Sequence, residues 1–139
     1  MKSSLFLRVA SGISLIFAAG HLMGGLKQWS PMGPNAVLSA MTEVRFQTMG
    51  VSRSYADFFM GFGWSIGIAL LLQAVLLWQL SNMAQEQPAH TRPMIAALAA
   101  ATLASGIVAW RFIFPIPALL SALVLAALAA AYVSGRAKG

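Results

Sequence analysis

The chain has 139 residues, 59% of them hydrophobic and only 9% charged, with nine Lys and Arg against three Asp and Glu for a net charge of +6. The length suits one domain, and a charged fraction far below the roughly 25% of soluble domains excludes an ordinary water-soluble fold. The basic residues are scattered between apolar runs, which argues against a nucleic-acid partner, and the absence of cysteine excludes disulfides, thiolate nucleophiles and thiol redox relays.

Four apolar runs account for the excess: residues 5–26, 58–80, 94–114 and 116–133. At about 1.5 Å per residue the first three can cross a hydrocarbon core of about 30 Å, and the fourth is near the lower limit. The expected fold is all-α: a polytopic membrane protein with one membrane domain over 1–139, built as a four-transmembrane-helix bundle. Its helices are expected near 5–26, 56–80, 94–114 and 116–133, with a short amphipathic helix in a first outer loop at 27–55. Lys2, Arg8, Arg92, Arg136 and Lys138 then fall on one side of the membrane and Lys27, Arg45, Arg53 and Arg111 on the other. The larger set marks the inner side, so both termini are expected inside; the expected location is the cell inner (cytoplasmic) membrane.

The first run can also be read as a signal peptide cut after Ala18-Ala19-Gly20. However, Arg8 interrupts it and the apolar residues continue through Leu22, Met23 and Leu26, which favours a retained helix. Ser11, Ser14 and His21 share a helix face with Arg8 and Gly24. Ionisable groups inside a span are costly, which makes His21 a functional candidate. Its structural alternative is a neutral ring bonded to a carbonyl or a neighbouring helix. Gly20-x-x-x-Gly24, and later Gly63-x-x-x-Gly67, suit close helix approach.

In the loop, "WSPMGPN" carries turn chemistry, and Asn35 can cap a helix starting just after it. Over 36–49, Val37, Leu38, Met41 and Val44 recur at helical spacing with Glu43, Arg45 and Gln47 elsewhere, so an amphipathic helix at the interface is expected. "SYAD" then reads as a capping box, with Ser54 as N-cap and Asp57 at the third helical position. Asp57, Gly61 and Trp64 succeed one another at intervals of four and three, placing a carboxylate, a gap and an aromatic wall on one stripe of the second helix. Gln73, mid-span and roughly opposite, is expected to bond across to Thr102 or Ser105.

"SNMAQEQPAHTRP" reads as a polar inner loop, with Thr91 as N-cap ahead of Pro93. "FIFPIPA" turns the chain tightly, making the third and fourth helices an antiparallel hairpin, and the Ala, Ser and Gly of "AALAAATLASG" and "LLSALVLAALAAA" let them pack closely. Arg111, beside Trp110 near the outer end of the third helix, either snorkels to headgroups or serves as a fixed cation for a carboxylate or phosphate.

This topology gathers His21, Glu43, Arg45, Arg53, Asp57 and Arg111 on one side, around an outward polar pocket roofed by the loop helix. From "GHLMGG" and "MTEVRFQTMGVSRSYADFFMGFGW", the first half of the chain resembles a group of small bacterial four-helix integral membrane proteins of the DoxX-like size class. In that group a His-small pair ends the first helix, and an Arg-Ser-aromatic-x-Asp-Phe-aromatic-x-Gly-Phe-Gly block opens the second. The matching residues are His21, Arg53, Ser54, Tyr55, Asp57, Phe58, Phe59, Gly61, Phe62 and Gly63. The resemblance implies a bacterial membrane protein with an outward polar end and carries no activity with it.

Three readings are compatible with these features. The first is a non-enzymatic protein embedded in the lipid bilayer that binds a lipid, a quinone-like molecule or another small amphiphile, or serves as a small subunit of a membrane protein complex. Arg45, Arg53 and Arg111 would meet an anionic head, His21 and Asp57 would orient it, and Trp64 would wall the pocket. The second is an intramembrane isomerase or hydrolase using His21 as acid or base, oriented by Asp57 or Glu43. The spans offer it no second histidine and no recognisable nucleophile turn. The third is an oligomeric transporter, for which the mid-membrane charges are missing. No cofactor is expected: one histidine and two carboxylates on three segments make a poor metal site, and His90, in the inner loop, is on the wrong side to share a haem with His21.

Overall fold

The computed structural model describes residues 2–25, 30 and 32–135. Leu26, Lys27, Trp29, Pro31, Arg136 and Lys138, which enter the expected helix end, proline turn and charged flanks, lie outside the described residues. The first apolar run forms α1 (Lys2–Gly25), continuous across the signal-cleavage position. A short α2 (Ala36–Glu43) and an antiparallel hairpin of β1 (Arg45–Thr48) and β2 (Val51–Ser54) precede α3 (Tyr55–Glu86). α4 (Pro88–Phe112) and α5 (Pro115–Ser134) complete the described chain. The four long helices α1, α3, α4 and α5 are each long and apolar enough to cross a membrane.

Three expectations need correcting. The helix expected over 36–49 stops at Glu43, and a β-hairpin takes its second half. Asn35 caps α2 as expected, its side chain accepting from the Leu38 N–H. From Val44, however, the alternation of Phe46, Thr48 and Val51 with Arg45, Gln47 and Ser52 suits a strand pair, closed at Met49-Gly50, where both residues have positive φ. The polar segment 81–93 is not a loop. α3 runs on to Glu86 because nothing before Pro88 breaks it, and Pro88 opens α4 after the single non-helical residue Gln87. Thr91 is therefore no cap: it is buried inside α4 and its hydroxyl donates to the Pro88 carbonyl.

The described residues divide into two compact units, Ala18–Ala69 and the segments on either side of it. In the flanking unit, Leu7 and Ala10 of α1, Leu77, Leu80 and Ala84 of α3, Ile95 of α4, and Val124, Ala127, Leu128 and Ala131 of α5 share one core. α4 and α5 pack closely as expected, since a Cβ added at Gly106 would come within 3.2 Å of the Ser121 side chain. Ser11 donates to the Ala74 carbonyl at 2.7 Å, and Gln73 donates to the Ser14 hydroxyl at 3.2 Å. Gln73 thus pairs with α1, not with Thr102 or Ser105. The reason is that Ser14 lies on the α1 face already turned to α3.

The Ala18–Ala69 unit holds the last turns of α1, α2, the hairpin and the first turns of α3. Of the two glycine pairs only Gly67 shows a close approach, Gly63 having nothing within 4 Å of an added Cβ. A side chain at Gly67 would run into the Leu22 isobutyl group, so α1 meets α3 at that point, whereas Gly20 and Gly24 have nothing within 4 Å of an added Cβ and support no close approach.

Candidate functional site

The site is built on the head of α3 by its own cap. Asp57 N–H donates to the Ser54 hydroxyl at 3.1 Å and the Ser54 N–H donates to Asp57 Oδ2 at 2.8 Å, the reciprocal pair of a capping box. β2 ends at Ser54 and α3 begins at Tyr55, so the hairpin is joined to the helix with no slack. Phe46 of β1 fixes its angle by packing against Tyr55 and Phe58, with ring centroids 5.2 and 5.4 Å apart.

The hairpin brings two arginines to this cap in different states. Arg45 is held: Nε donates to the Ser52 hydroxyl at 3.0 Å, Nη2 donates to the Ser52 carbonyl at 3.1 Å, and Nη2 lies 3.9 Å from Asp57 Oδ2. Arg53 donates only one Nη1 bond, to the Ser52 carbonyl at 3.0 Å, and forms no ion pair among the described residues. Most of its guanidinium fork is open to an anion.

Below the cap an open groove of about 300 Å³ runs along α3, lined by Arg53, Asp57, Phe58, Gly61, Phe62 and Ser65. Two rows at helical spacing form it. Asp57, Gly61 and Ser65 give a polar edge with a gap in the middle, and Phe58 and Phe62, 6.2 Å apart, give an aromatic wall. Ser65, at the far end of the lining, donates its hydroxyl to the Gly61 carbonyl at 2.9 Å. The arrangement is amphiphilic along its length: a charged mouth, then hydrocarbon surface, then one hydroxyl about 12 Å from the mouth.

Of the sequence candidates, Arg45, Arg53 and Asp57 come together here. Trp64 does not line the groove. At about 100° per residue it falls about 20° to the other side of Asp57, away from the phenylalanine wall. Phe58, Phe62 and Ser65 are lining residues that sequence reasoning passed over, although their spacing of four from each other or from Gly61 was available. Glu43 is exposed at the end of α2 and forms no ion pair among the described residues. Arg111 belongs to the other compact unit, where its guanidinium lies 5.3 Å from the Phe112 ring.

His21 has a different partner from the one an acid–base pair requires. Its Nε2–H donates to the Gly63 carbonyl of α3 at 2.9 Å. Gly63 lies six residues beyond Asp57, about 9 Å along the helix axis, and no hydrogen bond joins His21 to Asp57 or Glu43 among the described residues. Nor do three His, Asp or Glu side chains among these residues gather where they could hold a metal ion. Comparison with protein-family models, curated proteins and solved structures finds no match to this chain.

Proposed function

We propose that the chain is a non-enzymatic integral membrane protein, its four long helices crossing the bilayer as a bundle, that holds a lipid-like amphiphile in the groove at the head of α3. The membrane part is supported by where polarity lies. Ser14, Ser81 and Thr91 are fully buried, while Ile16, Phe62, Trp110 and Phe112 are about two-thirds or more exposed. In the most apolar stretch of each long helix no more than 28% of residues are buried. Water would penalise that surface heavily, whereas hydrocarbon leaves only the interior hydroxyls to be satisfied, and those of Ser14, Ser81 and Thr91 have partners within the helices. The resemblance of the first half to small bacterial membrane proteins points to the inner membrane. The distribution of Lys and Arg favours both termini inside, with the hairpin outside.

One observation carries the binding role: an arginine with most of its guanidinium donors unbonded stands at the mouth of a groove whose wall is two phenylalanines. That pairing matches a molecule with an anionic head and an apolar body. A lone His21 bonded to a helix carbonyl gives the enzymatic alternative no comparable support.

Native mass spectrometry of the protein released from its membrane in mild detergent tests the role. A bound mass on the wild type that is lost from Arg53→Ala and from Gly61→Leu is the expected result. Position 61 has room for a side chain to start, since nothing lies within 4 Å of an added Cβ, and a leucine there projects into the groove floor. A bare wild-type mass, or a bound mass unchanged in both variants, would overturn it.

A further inference from the structure

We infer that the occupant of the α3 groove is a phospholipid taken from the surrounding leaflet, and that Asp57 selects headgroups carrying an N–H or O–H donor. This rests on the proposed amphiphile binding and narrows it. Two features favour access from the leaflet over access from water. The groove is open along its side, and the α3 surface that continues from it is apolar, with Tyr55, Phe59 and Phe62 all more than half exposed. Aromatic side chains of this kind collect at headgroup depth, which puts Arg53 and Arg45, just beyond Tyr55, at the level of the lipid phosphates.

Selection depends on what each group has left to offer. Arg53 keeps most of its donors free, and because two arginines, Arg45 and Arg53, stand against the single Asp57 carboxylate, the mouth keeps a net positive charge. A phosphate diester fits the open fork. The backbone bond from Ser54 goes to Asp57 Oδ2, which leaves Oδ1 without a backbone donor, and Asp57 lines the same mouth as Arg53. An ionised carboxylate can only accept. A head with an ammonium or hydroxyl donor beside its phosphate satisfies both residues at once. Phosphocholine, whose quaternary nitrogen has no N–H, leaves Oδ1 beside a group that cannot donate to it. Asp57 is about half exposed, so water can partly replace a missing donor and the resulting preference is modest. The chain of the bound lipid then lies against Phe58 and Phe62.

Phosphoethanolamine and phosphoglycerol heads both meet this requirement and differ in net charge. The test therefore uses three lipids with identical acyl chains, bearing phosphoethanolamine, phosphoglycerol or phosphocholine heads. The full chain is reconstituted in nanodiscs of equimolar composition, extracted into mild detergent, and its retained lipid is quantified by mass spectrometry. The first two heads are expected to be retained about tenfold over phosphocholine. Arg53→Gln and Gly61→Leu should lower all retained lipid, and Asp57→Asn should shrink the preference. Because Asp57 also caps α3, Gly61→Leu keeps the outcome interpretable if that variant unfolds. Equal retention of all three heads, still lost in Gly61→Leu, would overturn headgroup selection while leaving amphiphile binding intact. Retention of no lipid, or retention unaffected by Gly61→Leu, would overturn both.

Discussion

At the scale of single residues, the α3 glycines divide by what stands opposite them. Gly67 is fixed by Leu22, and valine there should destabilise the protein by about 1–3 kcal/mol through overpacking. Gly61, open on the groove side, should accept valine without loss of stability, and thermal unfolding in detergent separates the two cases. His21 is a helix-to-helix clamp: its Nε2–H adds a second hydrogen bond to a carbonyl already inside a helix. Hydrogen bonds of this kind between helices in membranes contribute about 0.6 kcal/mol. His21→Leu should therefore lower the unfolding midpoint slightly and leave lipid retention unchanged. Lost retention would return His21 to the binding site.

At the scale of elements, the hairpin matters more than its eight paired residues suggest, because it carries both arginines and is welded to α3 by the capping box. Ser54→Ala should cost about 1 kcal/mol and loosen the groove mouth, which lipid retention would register. Its turn is a point of strain: Met49, fully exposed, has φ +48, a conformation that costs an ordinary side chain about 1 kcal/mol or more, and Met49→Asn should raise the melting temperature. This element was the least legible in the sequence. Val37, Leu38, Met41 and Val44 keep a helical period up to the strand, and Met-Gly lacks the asparagine or aspartate that announces a tight hairpin. The capping box, by contrast, was readable from "SYAD" alone, since its two bonds depend only on residue types three apart. The groove was half readable. Asp57 and Gly61 lay on the stripe drawn for it, but the choice between Trp64 and the phenylalanines depended on where Phe46 docks, and only the unread hairpin decides that.

At the scale of the whole molecule, the four long helices were legible because apolar run length is a property of composition, whereas their ends were not. α3 has 32 residues, about 48 Å, well beyond a hydrocarbon core of about 30 Å, and its polar last turns continue the helix past the apolar run. The absence of cysteine makes the placement of these helices directly measurable. Single cysteines introduced at Leu72, Ile107 and Leu123, all more than half exposed, and at Gln47 and Gln87 can carry spin labels in lipid vesicles. Collisions with oxygen, which concentrates in hydrocarbon, are then compared with collisions with a water-soluble nickel chelate. Labels at 72, 107 and 123 should favour oxygen strongly, while those at 47 and 87 should favour the chelate from opposite faces of the membrane. Chelate access at 72, 107 and 123 equal to that at 47 would show that these helices do not cross the bilayer, and the groove would lose the leaflet it is proposed to draw from.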